Sequence, residues 1–183
     1  MKIESKQHSA DVIKKLRLNG VPECVFHEFD EQGIKSFCAK YFSTKYILRD
    51  LDSPAGKYYF CANVDECLQN AKNYMGTFSL GVSCFSYTGL ILLGEIYLTK
   101  ENVTLIARTD DKANHRNIYE NADFKLNTTL EDDKLWEVPG FDLLIKYIIE
   151  HNLYDIIVEF VVYDKNVGVN NEKVLIVELR SDY

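Results

Sequence analysis

Two long apolar segments near the end of the chain, 154-YDIIVEFVVYD-164 and 173-KVLIVELR-180, predict a pair of neighbouring β-strands. Side chains alternate between the two faces of a strand, so Glu178 and Arg180 point to the same face. Glu159 can share that face if the two segments pair as a hairpin. We therefore expect two carboxylates and one guanidinium to meet on an otherwise apolar sheet.

Charged side chains inside an apolar sheet are costly unless they are paired or bind a ligand. Mg²⁺ with a phosphate ligand would satisfy all three, because Mg²⁺ prefers carboxylate oxygens and arginine forks onto phosphate oxygens. A structural cross-strand pair of Glu and Arg would also satisfy them, without any ligand. The residues alone leave both interpretations open.

The rest of the chain contains further helices and strands that do not alternate regularly. Apolar spacing predicts helices at 9–18, around 34–41, after Asn63 and after Pro139-Gly140, and strands at 24–29, 46–50, 57–62, 78–84, 90–99 and 103–109. This order favours an α+β fold with largely antiparallel sheets over a parallel, doubly wound one. We expect a single domain, 1–183, that divides into lobes 1–76 and 77–183.

The segment 110–127 is polar, rich in turn residues and without a clear period. A segment of this length inside a compact domain is either mobile or functional. It contains His115, for which two interpretations stay open: a residue that reads a phosphate group, or an exposed loop histidine.

The composition restricts the class of protein. Of 183 residues 46% are hydrophobic, enough for a substantial core, and the net charge of −7 disfavours binding to nucleic acid. No apolar stretch approaches the length of a membrane helix. Five cysteines without a CxxC pair, together with a polar N-terminal start, predict reduced thiols in a cytoplasmic protein.

Four short motifs, in order along the chain, resemble the nucleotide-binding domain of the ATP-grasp class, of the type found in phosphoenolpyruvate synthase and pyruvate phosphate dikinase. The motifs are Lys6 before a helix that ends at Gly20-Val21-Pro22, the strand Ile47-Leu48-Arg49-Asp50, the segment Ile157-Val158-Glu159-Phe160, and Glu178-Leu179-Arg180. Their order and relative spacing agree with that family over nearly the whole chain. The resemblance implies a two-lobed ATP-grasp-like domain.

The resemblance also implies a role for each matched residue, with ATP and Mg²⁺ as cofactors. Arg49 would contact the ATP phosphates, and Arg180 would clamp the terminal phosphate; these two would be the catalytic residues. Glu159 and Glu178 would hold the nucleotide or coordinate Mg²⁺, and Lys6 would reach the phosphates. A small molecule or a separate protein would accept the phosphate.

The chain departs from the family pattern at several positions, and these departures leave two functional expectations open. Ile157 stands where the family has an acidic residue, Glu178 replaces a Gln, and Asp50-Leu51 replaces a Ser-Ser pair. A glycine-rich phosphate loop is missing; 53–56 is its remnant candidate. One expectation is a phosphotransferase or ligase, and the other is a non-catalytic interaction or regulatory protein that keeps the fold without turnover.

Overall fold

The computed structural model describes residues 1–53, 57–110 and 118–181. Within these ranges the chain forms six α-helices and nine β-strands, in the order α1 (Lys6–Lys15), β1 (Glu23–Phe26), α2 (Glu31–Lys40), β2 (Tyr46–Asp50), β3 (Tyr58–Cys61), α3 (Val64–Ala71), β4 (Phe78–Val82), β5 (Leu90–Leu98), β6 (Val103–Arg108), α4 (Ile118–Asn121), β7 (Phe124–Thr128), α5 (Asp133–Trp136), α6 (Phe141–Glu150), β8 (Ile157–Val167) and β9 (Glu172–Arg180).

The strands form two sheets, one of four strands in the order β1-β4-β2-β3 and one of five in the order β7-β6-β5-β8-β9. Every paired strand in both sheets is antiparallel to its neighbour. The predicted α+β class with antiparallel sheets is therefore confirmed.

The chain divides into two compact units, Val21–Tyr87 and a second unit made of Met1–Gly20 and Thr88–Tyr183. The four-stranded sheet lies in the first unit and the five-stranded sheet in the second. These boundaries differ from the lobes expected at 1–76 and 77–183, because α1 packs against β9 and so joins the N-terminal residues to the last strand.

In the Val21–Tyr87 unit, buried side chains of α2, α3 and the four-stranded sheet form one core, which includes Ile34, Cys67 and Leu80. Helix α3 starts as the sequence predicts. The Asn63 side chain accepts a hydrogen bond from the Glu66 backbone N at 3.0 Å, and the Glu66 carboxylate accepts one from the Ala62 N at 2.8 Å. These bonds satisfy amides at the start of the helix that would otherwise have no partner.

In the second unit, one face of the five-stranded sheet packs on α6 and α1. The core on this face includes Leu144, Ile148, Phe160 and Val12. Alternate residues of β5, β6 and β8 therefore point to the opposite face. That opposite face carries the charged residues predicted from the sequence.

Apart from shifted ends of elements, three parts of the chain differ from prediction, one of them the short helix α5, for which the sequence gives no expectation. The segment 110–127 contains the short helix α4 and the strand β7, in which Phe124 and Leu126 pack against the core and Lys125 is exposed. The alternation of half-buried and exposed side chains covers only five residues at a sheet edge. A pattern this short cannot be recognised as a strand next to the polar residues before it.

The strand predicted at 78–84 ends at Val82, because Ser83 caps a 3-10 turn over Cys84–Ser86. His115 and residues 54–56 of the remnant loop lie outside the described residues.

All five cysteines are free thiols, and four of them are buried. No helix in the described ranges combines the length and the apolar character that crossing a bilayer requires.

Asn19, fully buried after α1, ties the N-terminal segment to the C-terminal hairpin. Its amide nitrogen donates to the carbonyl oxygens of Val167 at 3.0 Å and Val174 at 2.8 Å, and its side-chain oxygen accepts from the Asn170 N at 2.9 Å. Its backbone N donates to the Tyr147 hydroxyl at 2.6 Å. Burial raises the pKa of Tyr147 to about 12, so the phenol stays neutral.

Substitution of Asn19 by Ala should destabilise the second unit. The loss of these bonds leaves buried carbonyls without donors, which should lower the free energy of unfolding by about 3 kcal/mol. Trp136 is the single tryptophan of the chain and lies in this unit, so urea unfolding followed by its fluorescence measures the effect. Asn73→Ala, at an exposed position, is the control. Equal stability of the two variants would contradict the prediction.

Candidate functional site

A row of three glutamates crosses three adjacent strands of the five-stranded sheet. Glu95 on β5 lies directly opposite Glu159 on β8, and Glu159 lies directly opposite Glu178 on β9. Residues that face each other across antiparallel strands point to the same side of the sheet. The three carboxylates are therefore on one face, although like charges in direct register repel.

Arg180 bonds to two of these carboxylates. Its Nη1 lies 2.9 Å from Glu159 Oε1, and its Nη2 lies 2.9 Å from Glu95 Oε1. The Glu95 and Glu159 side chains are only 11% and 8% exposed, whereas the Arg180 side chain is 30% exposed. Charge-assisted hydrogen bonds to buried groups of this kind are stronger than surface ion pairs.

The sequence correctly places Glu159, Glu178 and Arg180 on one face, and it misses Glu95. The signal for Glu95 was available, because Glu95 interrupts the apolar run 90-LILLGEIYL-98 just as Glu159 interrupts the run before it. Its partnership with Arg180 depends on the β5–β8 pairing, which joins residues about sixty positions apart in sequence. Spacing along the chain does not predict that register.

The other two predicted site residues lie elsewhere. Arg49 is a half-buried residue of β2 in the Val21–Tyr87 unit, opposite Tyr58 and Ser79. Lys6 is the first residue of α1, and within the described ranges no hydrogen bond or ion pair joins it to Arg180 or the glutamates. The roles of Arg49 and Lys6 remain predictions.

The glutamate row has part of the chemistry of a Mg²⁺ site, because carboxylate oxygens are the ligands that Mg²⁺ prefers. However, Arg180 is bonded to one oxygen of Glu95 and one of Glu159, and the described part of the chain has no group of three acidic, cysteine or histidine side chains arranged to hold a metal. With Arg180 in this position, the described carboxylates do not form a site for the ion by themselves, and the metal-binding roles of Glu159 and Glu178 remain predictions.

A cavity of about 270 Å³ lies at the end of the sheet next to this cluster. Its lining includes Tyr97 and Ile157, each two residues from a glutamate of the row, and Ile157 is opposite Arg180. Asp155 and two hydroxyl side chains, Thr104 and Ser181, complete it. Polar groups therefore line a small space beside the charged cluster.

Comparison with known proteins identifies the fold. No family model matches the sequence, and no curated protein matches it. Among solved structures, D-alanyl-alanine synthetase A from Vibrio cholerae is 10% identical with a TM-score of 0.52, over 97% of this chain and 55% of that chain. N5-carboxyaminoimidazole synthase from Aspergillus clavatus is 11% identical with a TM-score of 0.55, over 98% and 44%. The ATP-grasp ligase PsnB is 11% identical with a TM-score of 0.51, over 98% and 52%.

These similarities show that the chain has an ATP-grasp-like fold. The chain spans about half the length of these structures.

Replacing Arg180 by Met should destabilise the second unit by about 3 kcal/mol, because it leaves two buried carboxylates without their counter-charge. Urea unfolding followed by Trp136 fluorescence measures this. Lys173→Met, at an exposed position of the same strand, is the matched control. Adding Glu159→Gln to Arg180→Met should recover part of the loss, because it removes one of the uncompensated charges. An Arg180→Met variant as stable as Lys173→Met would contradict this assignment.

Proposed function

We propose that this chain is a nucleotide-binding module that takes ATP on its ATP-grasp-like fold. The observation that carries the proposal is the extent of the similarity: 98% of the chain aligns with a synthase whose structure was determined in complex with ADP. The charged cluster and the adjoining cavity provide polar groups on the same unit. We extend the nucleotide chemistry of that synthase to this chain as a hypothesis.

Within this proposal, the cavity beside Ile157 and Tyr97 is where a small-molecule or protein acceptor would meet the nucleotide. Lys6 would supply additional positive charge to the phosphates, as the resemblance to the phosphoenolpyruvate synthase type implies; the phosphate contact that the resemblance implies for Arg49 remains a separate prediction. Arg180 would clamp the terminal phosphate only after leaving at least one of its two glutamates. Its 30% exposure makes such a movement less costly than it would be for a fully buried arginine.

A second candidate function is a non-catalytic interaction or regulatory protein that retains the fold without turnover. A specific observation favours it: both Nη atoms of Arg180 are already bonded to Glu95 and Glu159. An arginine in this arrangement stabilises the sheet, and the same bonds hold it away from a transferred phosphate. Nucleotide binding is compatible with this candidate, whereas phosphate transfer is not.

ATP should raise the melting temperature of the protein. A ligand at 100 times its Kd stabilises the folded state by about 2.7 kcal/mol. Melting curves would be recorded with ATP and EDTA, with ATP and Mg²⁺, with Mg²⁺ alone and with adenosine. We expect stabilisation by ATP and none by Mg²⁺ alone, because Arg180 takes up the carboxylates that the ion needs. The absence of any shift with either form of ATP would overturn the proposal.

The two candidates differ in turnover. ADP release would be measured with a panel of small carboxylates, amines and peptides as acceptors. Release that depends on an acceptor would establish the phosphotransferase or ligase. Clear ATP binding without ADP release across the panel would favour the regulatory module.

A further inference from the structure

A second arginine, Arg108, lies on the same sheet face as the glutamate row. It is the last residue of β6 and pairs with Leu93 on β5, two residues before Glu95. Because side chains alternate along a strand, Leu93 and Glu95 share a face, and Arg108 shares it with them. Sequence reasoning missed Arg108 because it stands at the end of an ordinary hairpin, with no motif around it.

The bonding of Arg108 is incomplete for a buried cation. The residue is 9% exposed, and its Nη2 lies 2.8 Å from Asp110 Oδ1. Its Nε is buried and has no hydrogen-bond partner among the described residues. A guanidinium offers five N–H donors, and leaving a buried charged donor unsatisfied is costly. An anionic ligand would remove that cost.

A second cation stands beside Arg108. Lys125 on β7 pairs with Ile106 on β6, so it projects on the same face, two positions along the sheet from Arg108. Lys125 is exposed, and its Nζ lies 4.6 Å from the centre of the Tyr119 ring, which helps to position it. The sheet face is thus divided, with Arg108 and Lys125 on β6 and β7 and the three glutamates on β5, β8 and β9.

Two acidic side chains lie near Arg108, and both have hydrogen-bond partners. Asp123 accepts hydrogen bonds from the Thr109 backbone N at 2.9 Å and from the Thr109 hydroxyl at 3.1 Å. Asp110 bonds one nitrogen of Arg108 and thereby orients the guanidinium, while its own side chain is 39% exposed. The Nε of Arg108 is the donor left for a ligand, and because it is buried a ligand would reach it only after the groups that cover it move.

We propose that Arg108 and Lys125 form an oxyanion site that binds the phosphate chain of the nucleotide. The identity of the ligand, a nucleotide, rests on the proposed function. The location of the site rests on the buried guanidinium of Arg108. A phosphate chain suits the pair better than a single carboxylate does, because it offers several oxygens and more than one negative charge to two cations on neighbouring strands. Arg108 would contact the phosphate chain while Arg180 keeps its two glutamates, whereas the clamp that the resemblance implies for Arg180 requires it to leave one of them.

Titration calorimetry with inorganic pyrophosphate, ATP and adenosine tests the site. In Arg108→Gln, affinity for pyrophosphate and for ATP should fall by about tenfold or more, the loss expected for a charge-assisted pair. Adenosine binding should not change, because adenosine carries no phosphate. Lys125→Gln should have a smaller effect in the same direction. Lys100→Gln, in the exposed β5–β6 turn, removes the same charge far from the site and should match the wild type.

Two further variants separate a local effect from a loss of structure. Arg108→Lys keeps the positive charge but loses the bidentate geometry of the guanidinium. Its affinity for pyrophosphate should therefore lie between those of the wild type and Arg108→Gln. Lys125 is exposed, so its substitution tests the site even if Arg108→Gln unfolds. The Trp136 melting transition of each variant reports on folding.

The outcomes distinguish this inference from the proposed function. If ATP binds the wild type and all variants equally, the oxyanion site is wrong and nucleotide binding stands. If pyrophosphate binds in an Arg108-dependent way but neither ATP nor adenosine binds, the oxyanion site stands and the nucleotide proposal fails. If pyrophosphate binds neither the wild type nor the variants, the inference is overturned.

Discussion

The guanidinium of Arg180 holds together three strands whose carboxylates would otherwise repel one another. Glu95, Glu159 and Glu178 stand in register on β5, β8 and β9, and Arg180 bonds to the first two. Strand register and charge balance are therefore linked: a shift of one residue would move the glutamates into the apolar core.

A second link joins the start of the chain to its end. Asn19 bonds to the backbone of both strands of the C-terminal hairpin, and the carbonyl of Asn19 accepts from the Ile176 N at 2.7 Å. The hairpin turn also needs Gly168, which has a φ of +76°, because a Cβ there would approach the Asn19 oxygen to 2.5 Å. Residues 1–20 consequently belong to the unit that contains the last strand.

The sheet face combines an ATP-grasp-like fold with an unusual distribution of charge. Arg180 bonds to two glutamates of the acidic row, whereas Arg108 and Lys125 lie on β6 and β7, and the Arg108 Nε has no hydrogen-bond partner among the described residues. A phosphate chain near Arg108 would have Asp110 and, diagonally across the strands, Glu95 as neighbours, whereas one near Arg180 would have to displace the two glutamates bonded to it. This electrostatic difference is why we assign nucleotide phosphates to the β6–β7 side.

Local order was readable from the sequence. Apolar periodicity and caps such as Asn63 predict the helices and strands, and the two-residue repeat places Glu178 and Arg180 on one face, because these properties depend on neighbours within a few residues. Tertiary structure alone decided that Glu95 joins Glu159, that Arg180 is bonded between them, and that Arg108 is buried on the same face. These contacts form only when strands that are distant in sequence pair with one another. The free energy of that pairing comes from contacts between distant residues, so a pattern within a short segment does not predict it.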